Sequence, residues 1–227
     1  MQKNGANSTP GRTSRLTPER DSPARRSSTI QRNRKKILIA AQEVLGEIGP
    51  DVSNDAIASR AGVSVSTLYM HFTNRQELVR ASLMDALRTW ERWVLTHFSS
   101  AEPSLENAVL SARLLMRMEV THPIYYRLLQ SNLSSTGLLY DELSQAFRAT
   151  VLDVVDSGEF SVEQIDLRLS ALEGAIYGIL GRQLKTPGVD IWEADRALEL
   201  ALALLGLSTE QAKGLAQSPM PTLNPIA

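Results

Sequence analysis

The sequence predicts an all-α fold, with a three-helix head that contains a helix-turn-helix and a larger helical body after it. Three observations predict this fold. Apolar residues recur at helical spacing along most of the chain, no stretch alternates apolar and polar residues as a strand does, and residues 53–78 have the layout of two short helices that meet at a tight turn. The 227 residues, 43% of them hydrophobic, are enough for one large or two small domains.

The first helix is predicted to begin near Thr29–Gln31 and to end at Ile48, because Gly49-Pro50 cannot continue it. One face of this helix carries apolar residues at helical spacing, namely Ile37, Ala40, Ala41, Val44, Leu45 and Ile48. Its start carries a cluster of cations, namely Arg32, Arg34, Lys35 and Lys36. Such a cluster is either a solvated face or, beside a helix-turn-helix, a phosphate-binding surface.

The second and third helices are predicted from the residues that can cap their ends. Ser53 and Ser64 are good N-caps, because a serine hydroxyl can accept a hydrogen bond from a backbone N–H in the first turn. Gly62 can adopt the left-handed conformation that ends a helix. Leu68 and Phe72, four residues apart, form the buried side of the third helix. Its exposed side then carries Val65, Ser66, Thr67 and Tyr69, in the position that enters the DNA major groove in a helix-turn-helix.

The same stretch carries a more specific pattern of residues. The pattern comprises Ile57-Ala58, Ala61-Gly62-Val63-Ser64, Thr67-Leu68-Tyr69, His71-Phe72, Arg75 and Leu78, and it extends back through Ile37, Ala40, Ala41, Leu45 and Gly49. It resembles the N-terminal signature of the TetR family of bacterial transcriptional regulators. The resemblance implies a homodimer that binds a palindromic site on double-stranded DNA, as a repressor released by a small-molecule effector. Activation, ligand-independent binding and a helical protein-interaction module stay open as alternatives.

The resemblance also implies which residues contact DNA. Tyr69, His71 and Arg75 are expected to contact phosphates, whereas Val65 and Ser66 are expected to contact bases. The full predicted set is Ser53, Asn54, Ser64, Val65, Ser66, Thr67, Tyr69, His71, Arg75, Lys35 and Lys36. The third helix lacks the side chains that most often recognise bases in DNA. Residues 65–70 contain no Arg, Lys, Asn or Gln, which bind guanine or adenine through two hydrogen bonds.

Charge is distributed unevenly along the chain. Residues 1–36 contain ten Lys or Arg and two acidic residues, a net charge of +8, whereas residues 37–227 contain fourteen and 23, a net charge of −9. Residues 1–29 are too polar to bury a core and are predicted to form a disordered basic arm. The arm is either a solvated tail or a source of further DNA contacts, through Arg12, Arg15, Arg20, Arg25 and Arg26.

The body is predicted to contain a long helix from about Asn74 to Phe98, with Asn74 and Glu77 as a capping box. Further helices are predicted over residues 105–120, 124–129, 138–155, 165–184 and 192–205, with a last short helix capped by Ser208. The predicted domains are therefore the arm (1–29), the helix-turn-helix domain (30–76), an effector-binding and dimerisation domain (77–216) and a flexible tail (217–227).

Within the body, aromatic and sulfur-containing side chains are candidates for an effector pocket. They are Trp90, Trp93, Met116, Tyr125, Tyr126, Tyr140 and Phe147, with Arg117, Arg127 and Glu173 as polar anchors. The last two long helices are apolar nearly all round, which indicates burial on more than one side and suggests a partner subunit. The predicted dimer interface comprises Ala171, Glu173, Gly174, Ala175, Gly178, Leu198, Ala201, Leu202 and Leu205.

Composition argues against several other classes of protein. The chain has no cysteine, which excludes disulfides, thiol catalysis and thiolate metal sites. No apolar run approaches the roughly 20 residues of a membrane helix, and the basic N-terminus lacks the apolar core of a secretory signal. The three histidines lack metal-site spacing, and no Gly-x-Ser-x-Gly elbow or glycine-rich phosphate loop occurs. We therefore expect no enzymatic activity, metal or cofactor, no membrane partner and a cytoplasmic location.

Overall fold

The computed structural model of the chain describes residues 23–98, 102–132, 136–158, 160–186, 188 and 190–223, with the main chain alone for residues 23–26 and 136–143. The helices are α1 (Pro23–Glu47), α2 (Asn54–Ala61), α3 (Val65–His71), α4 (Arg75–Leu95), α5 (Leu105–Leu115), α6 (Met118–Thr121), α7 (Pro123–Ser131), α8 (Thr136–Asp156), α9 (Ile165–Lys185), α10 (Ile191–Leu202) and α11 (Thr209–Ala216). A 3₁₀ turn, Ala203–Leu205, extends α10. The described residues contain no strand, and the all-α prediction is confirmed.

The three helices of the head, α1 to α3, pack around one small core. Fully buried side chains from all three helices meet there, among them Ile37, Leu45, Ile57, Leu68 and Phe72. The guanidinium of Arg34 lies 4.5 Å from the centre of the Phe72 ring, so that this cation also covers the core. Helix α1 begins at Pro23, several residues before the predicted start, so residues 23–29 are helical and do not belong to a disordered arm. The rest of the predicted arm lies outside the described residues.

The predicted caps of the head are present. The hydroxyl of Ser53 accepts a hydrogen bond from the N–H of Ala56 at 3.2 Å, and that of Ser64 accepts one from the N–H of Thr67 at 3.1 Å. Gly62 has φ of 66°, the left-handed conformation that ends α2. These three features fix where α2 begins and ends and where α3 begins, and therefore the angle of the helix-turn-helix.

The cap of α4 differs in one detail from the prediction. Asn74 Oδ1 accepts from the N–H of Glu77 at 2.8 Å, as predicted. The carboxylate of Glu77, however, accepts from the N–H and the hydroxyl of Thr73, at 2.7 and 2.6 Å. The Glu77 side chain therefore bonds to Thr73, the residue before the N-cap, and not to the backbone of the N-cap as in a standard capping box. The hydrogen bonds from Thr73 lower the pKa of Glu77.

Helix α1 is held between α4 and α7 of the body. Its Lys35 forms an ion pair with Asp85 of α4 at 3.0 Å. Toward its other end, Gly46 approaches the backbone of α7 so closely that a Cβ atom on it would lie 2.8 Å from the Ile124 carbonyl oxygen. Arg127 Nε donates to the Gly46 carbonyl at 2.9 Å. Arg127 therefore links the body to the head through this hydrogen bond, in contrast to its predicted role as an effector anchor.

A buried ionic cluster joins α5, α10 and the C-terminal segment. Each carboxylate oxygen of Asp195 accepts one hydrogen bond from Arg117 and one from Arg113. The bonds from Arg117 are 2.9 and 2.6 Å long, and both bonds from Arg113 are 3.3 Å long. Arg113 also donates to the carbonyl of Ser218 at 2.7 Å. Residues 217–223 are thus tied to the body, in contrast to the predicted loose tail. The predicted helix 105–120 is interrupted at Met116–Arg117, where Arg117 turns toward Asp195.

A buried histidine should make the stability of the fold depend on pH. Burial, and to a smaller extent the charge of nearby His97, lowers the pKa of His122 from 6.5 to about 4. The unfolded chain binds this proton below about pH 6.5 and the folded chain only near pH 4. The contribution to stability is therefore fully present above pH 6.5 and is lost as the pH falls toward 4, by up to about 1.4 kcal/mol per pH unit.

Urea unfolding of the wild type and of His122→Phe at pH 7, 6 and 5 measures this contribution. Phenylalanine keeps the ring contacts with Trp93 and Tyr125, at centroid distances of 4.6 and 5.5 Å in the wild type, but does not titrate. We expect the variant to lose less stability than the wild type between pH 7 and 5. Equal losses in the two proteins would contradict the assignment.

Candidate functional site

The outward face of α3 is formed by Ser66, Tyr69 and Met70, with Val65 and Thr67 half-buried beside them. Met70 is 81% exposed and was missed by the sequence interpretation, although its position next to Tyr69 and four residues after Ser66 places it on this face. The hydroxyls of Ser66 and Thr67 lie 2.9 and 2.8 Å from that of Ser64. The face therefore offers hydroxyls and apolar groups, and no cation.

A hydrogen-bonded chain of three side chains connects the starts of α2 and α4 to this face. Arg75 donates to Asn54 Oδ1 at 3.0 Å and also donates to the carbonyl of Pro50. Asn54 Nδ2 donates in turn to the Tyr69 hydroxyl oxygen at 3.0 Å. Because this oxygen accepts from Asn54, the hydroxyl proton of Tyr69 remains available to an acceptor outside the protein. Arg75 and Asn54 thus position Tyr69, a role that the sequence interpretation did not assign to them.

The other predicted DNA-contacting residues occupy different environments. Ser53 and Ser64 use their hydroxyls as helix caps. Lys35 is paired with Asp85, whereas Lys36 is exposed. Burial, followed by the charge of Arg34, lowers the pKa of His71, which favours the neutral imidazole.

A cavity of about 210 Å³ lies in the body between α4, α5, α8 and α9. Its lining residues are Trp90, Glu91, Val94, Leu95, Phe98, Ala108, Ser111, Ala112, Leu115, Ala146, Phe147, Thr150, Glu173, Ile176 and Tyr177. Trp90 and Phe147 were predicted to line an effector pocket. Most of the other lining residues are small or aliphatic and gave no signal in the sequence.

Two buried polar atoms of the cavity lining have no hydrogen-bond partner in the described part of the chain. One is Nε1 of Trp90, and the other is Oε1 of Glu173. The second oxygen of Glu173 accepts from Arg148 at 2.9 Å. Glu173 therefore belongs to the cavity, for which it was predicted as a polar anchor, and to this ion pair.

The remaining predicted effector residues with described side chains lie elsewhere. Trp93 packs against His97 and His122, and Tyr125 stacks on His122. Tyr126 donates to the Gln183 carbonyl at 2.8 Å in the core. Neither Met116 nor Arg117 lines this cavity, since Met116 is buried in the core and Arg117 pairs with Asp195. The side chain of Tyr140 lies outside the described residues.

An exposed apolar face runs along α9 and α10. On α9 it is formed by Leu167, Ala171, Gly174 and Gly178, with Ala175 half-buried beside them. On α10 and the turn after it, Leu200 is 77% exposed and Leu204 39% exposed. We call this surface the α9/α10 face. The predicted interface residues Leu198, Ala201, Leu202 and Leu205 do not belong to it, because they are buried in the core of the same protomer.

No group of three His, Asp or Glu side chains among the described residues is arranged to hold a metal ion. No helix in the described ranges is both long enough and apolar enough to cross a membrane.

Comparisons with known proteins match both the head and the fold. Residues 37–82 match the model of the bacterial regulatory proteins of the tetR family. The structure of RolR in complex with resorcinol superposes with a TM-score of 0.70 at 20% identity, covering 87% of this chain and all of RolR. RolR without ligand gives 0.60 at 19% identity, covering 84% and 100%. A protein from Mesorhizobium loti MAFF303099 assigned to the TetR-family transcriptional regulators gives 0.57 at 18% identity, covering 78% and 96%.

No curated protein sequence matches the chain. At these identities the structural likeness establishes the fold, and the match over residues 37–82 identifies the head. Together with the capped helix-turn-helix and its exposed third helix, these findings are consistent with one assignment. Residues 37–82 are a DNA-binding head of the tetR family of bacterial regulatory proteins, and together with the fold they support a DNA-binding transcriptional regulator.

Proposed function

We propose that the protein is a homodimeric repressor whose binding to a palindromic DNA site is relieved by a small molecule in the body cavity. One observation carries the proposal: α4 reaches from the head to the cavity. At its first residue, Arg75 is bonded to Asn54 and Pro50 of the head. In its last turns, Trp90 and Val94 line the cavity. A ligand that moves this helix therefore moves the head.

The head would bind DNA through α3 in the major groove. The hydroxyl of Tyr69, held by Asn54 and Arg75, would donate to a phosphate, and exposed Lys36 would add a charge contact. Val65 and Met70 would contact thymine methyl groups, and Ser66 a base edge. Sequence preference then depends on apolar contacts, water and DNA shape, since none of the side chains on α3 can form a bidentate pair with guanine or adenine.

The body would form the dimer through the α9/α10 face. This face is apolar and lies in helices whose other sides are already buried in the protomer. Ala171, Gly174 and Gly178 on α9 leave room for a partner helix to approach closely. A dimer places two copies of α3 on half-sites separated by about 34–36 Å or a multiple of that distance.

Release requires that the ligand bind better to one spacing of the heads than to another. The contacts of α1 with α4 and α7 make the head follow the body, since Lys35 is paired with Asp85 and Gly46 abuts Ile124. The complex of RolR with resorcinol supports the view that a protein of this fold can bind a small ligand. We therefore take the cavity as the effector site and residues 77–216 as the effector and dimerisation domain, with residues 30–76 as the DNA-binding domain.

Selection of genomic DNA fragments by the purified protein, at 50 and 200 mM salt, tests the DNA-binding half of the proposal. We expect recovery of a palindromic site, with an affinity that falls by roughly 10³-fold or more between the two salt concentrations if six or more phosphates are contacted. The variant Arg75→Ala should bind every sequence more weakly by a similar factor, because it releases Asn54 and Tyr69 from their positions without removing a base contact.

Lys213→Ala is the control, because Lys213 is an exposed cation on α11 in the body. It should bind DNA as the wild type does. A change in the preferred base in Arg75→Ala would contradict the positioning role. Absence of any DNA binding at 50 mM salt would overturn the proposal and favour a protein-interaction module.

A further inference from the structure

The cavity in the body contains one unused donor and one unused acceptor. Trp90, 3% exposed, has an N–H and Glu173, 9% exposed, has a carboxylate oxygen for which the described residues offer no partner. Buried polar groups in native proteins are nearly always hydrogen-bonded, and an orphan pair in one cavity needs an explanation. A ligand that fills the cavity and satisfies both atoms is the simplest explanation.

The charge of the lining restricts the ligand. Two carboxylates, Glu91 and Glu173, belong to the lining, and none of its described residues is a cation. Arg148 donates hydrogen bonds to Oε2 of Glu173, to the Ser170 hydroxyl and to Asp166. A carboxylate or phosphate ligand would therefore meet a like charge in an apolar environment.

The donor and the acceptor restrict it further. Glu173 Oε1 requires a donor, and Trp90 Nε1–H requires an acceptor. An ammonium group satisfies only the carboxylate, because it has no lone pair to accept from Trp90. A hydroxyl group both donates and accepts, so that hydroxyl chemistry satisfies both atoms without adding a charge.

The size and the walls of the cavity indicate the rest of the ligand. A cavity of about 150 Å³ in another protein holds a benzene ring. A volume of about 210 Å³ is thus suited to a substituted ring or a small bicyclic molecule. Phe98, Phe147 and Tyr177 supply aromatic walls against which such a ring can pack.

We propose that this cavity binds a small, uncharged, phenol-like molecule whose hydroxyl chemistry donates to Glu173 and accepts from Trp90. The proposal rests on the proposed function, in that this molecule is taken as the effector. It makes Glu173 the residue that selects for a donor and against an anion, and Trp90 the residue that requires an acceptor.

Calorimetric titration of the full-length protein at pH 7 tests the ligand class with matched probes. Resorcinol and 2-naphthol carry hydroxyls, 1,3-dimethoxybenzene and 2-methoxynaphthalene are their methyl ethers, and benzoate and 2-naphthoate are anions. We expect at least one of the two phenols to bind about tenfold or more tightly than its ether, since the ether cannot donate to Glu173. We expect binding of the anions to be weaker still.

Two variants separate the roles of the orphan atoms. Glu173→Gln keeps the shape of the side chain, and we expect the phenol-to-ether ratio to fall to roughly threefold or less. Trp90→Phe keeps an aromatic wall but removes the N–H, so both phenol and ether should weaken while their ratio is retained. Glu106→Gln makes the same charge change at an exposed position of α5 and should behave as the wild type. Thermal melts identify any variant that has lost its fold.

The same samples are assayed for release from DNA, so that the two proposals fail separately. A phenol that binds with the expected pattern but does not release DNA would overturn the effector mechanism and support the ligand class. Three outcomes would overturn the ligand class. They are equal binding of phenol, ether and anion, an unchanged phenol-to-ether ratio in folded Glu173→Gln, and no binding of either phenol. Release by another compound in that last case would leave the effector mechanism standing.

Discussion

Replacement of Gly174 by arginine is expected to yield a folded monomer that binds the palindromic site at least about 100-fold more weakly than the wild type, because the two heads no longer act together. Gly174 is exposed, and apart from its chain neighbours and the backbone of its own helix no described atom lies within 4 Å of the place where its Cβ would be. The protomer therefore accommodates a side chain there. A partner helix packed on Ala171 and Gly178 would instead meet a long cation in an apolar seam.

The matched control is Gly214→Arg. Gly214 also lies in a helix with open space at its Cβ, and this helix, α11, contributes no residue to the α9/α10 face. Sedimentation analysis gives the oligomeric state of both variants, circular dichroism their helicity, and fluorescence anisotropy their affinity for DNA. A dimeric Gly174→Arg, or a monomeric Gly214→Arg, would show that the subunits associate through another surface.

Asp195→Asn is expected to destabilise the protein by about 3–5 kcal/mol, because it leaves the guanidinium groups of Arg113 and Arg117 buried without their carboxylate. For a chain of this size such a loss lowers the melting temperature by roughly 10 °C. The asparagine keeps the size of the side chain, so that the effect measured is that of the charge. Thermal melts and urea unfolding measure it.

Asp166→Asn is the control for this variant. Asp166 is also paired with an arginine, Arg148 at 3.1 Å, but its side chain is 83% exposed, so its removal should cost at most about 1 kcal/mol. In the triple variant Asp195→Leu, Arg113→Met and Arg117→Met, apolar groups replace the whole cluster and should recover much of the stability. If Asp195→Asn were as stable as Asp166→Asn, the cluster would not hold α5 and α10 together.

The head could be predicted in detail because its signals are local. Ser53, Gly62 and Ser64 act within a few residues of their own positions, and the structure places each of them as predicted. The spacing of Leu68 and Phe72 likewise gives the buried side of α3 without knowledge of any other element. The roles of Asn54 and Arg75 were not predictable in this way, because their hydrogen bonds join residues far apart in the sequence.

The body was predicted as a set of helices, but the assignment of their faces was less accurate. In an apolar stretch such as Leu198 to Leu205, composition cannot say which side packs in the protomer and which is exposed. Leu200 is exposed, whereas Leu198 and Leu202 are buried. Glu173 was singled out as a carboxylate in an apolar helix, but its partner Arg148 and the cavity beside it depend on how α8 packs on α9.

The close approach of Gly46 to Ile124 also limits how modular this regulator is. Engineers often exchange DNA-binding heads between related regulators to couple a known operator to a new sensor. A head grafted onto this body has to carry a residue without a side chain where α1 crosses α7, since even a methyl group would meet a backbone oxygen at 2.8 Å. Compatibility of such chimeras is therefore decided in part at position 46, which belongs neither to α3 nor to the lining of the body cavity.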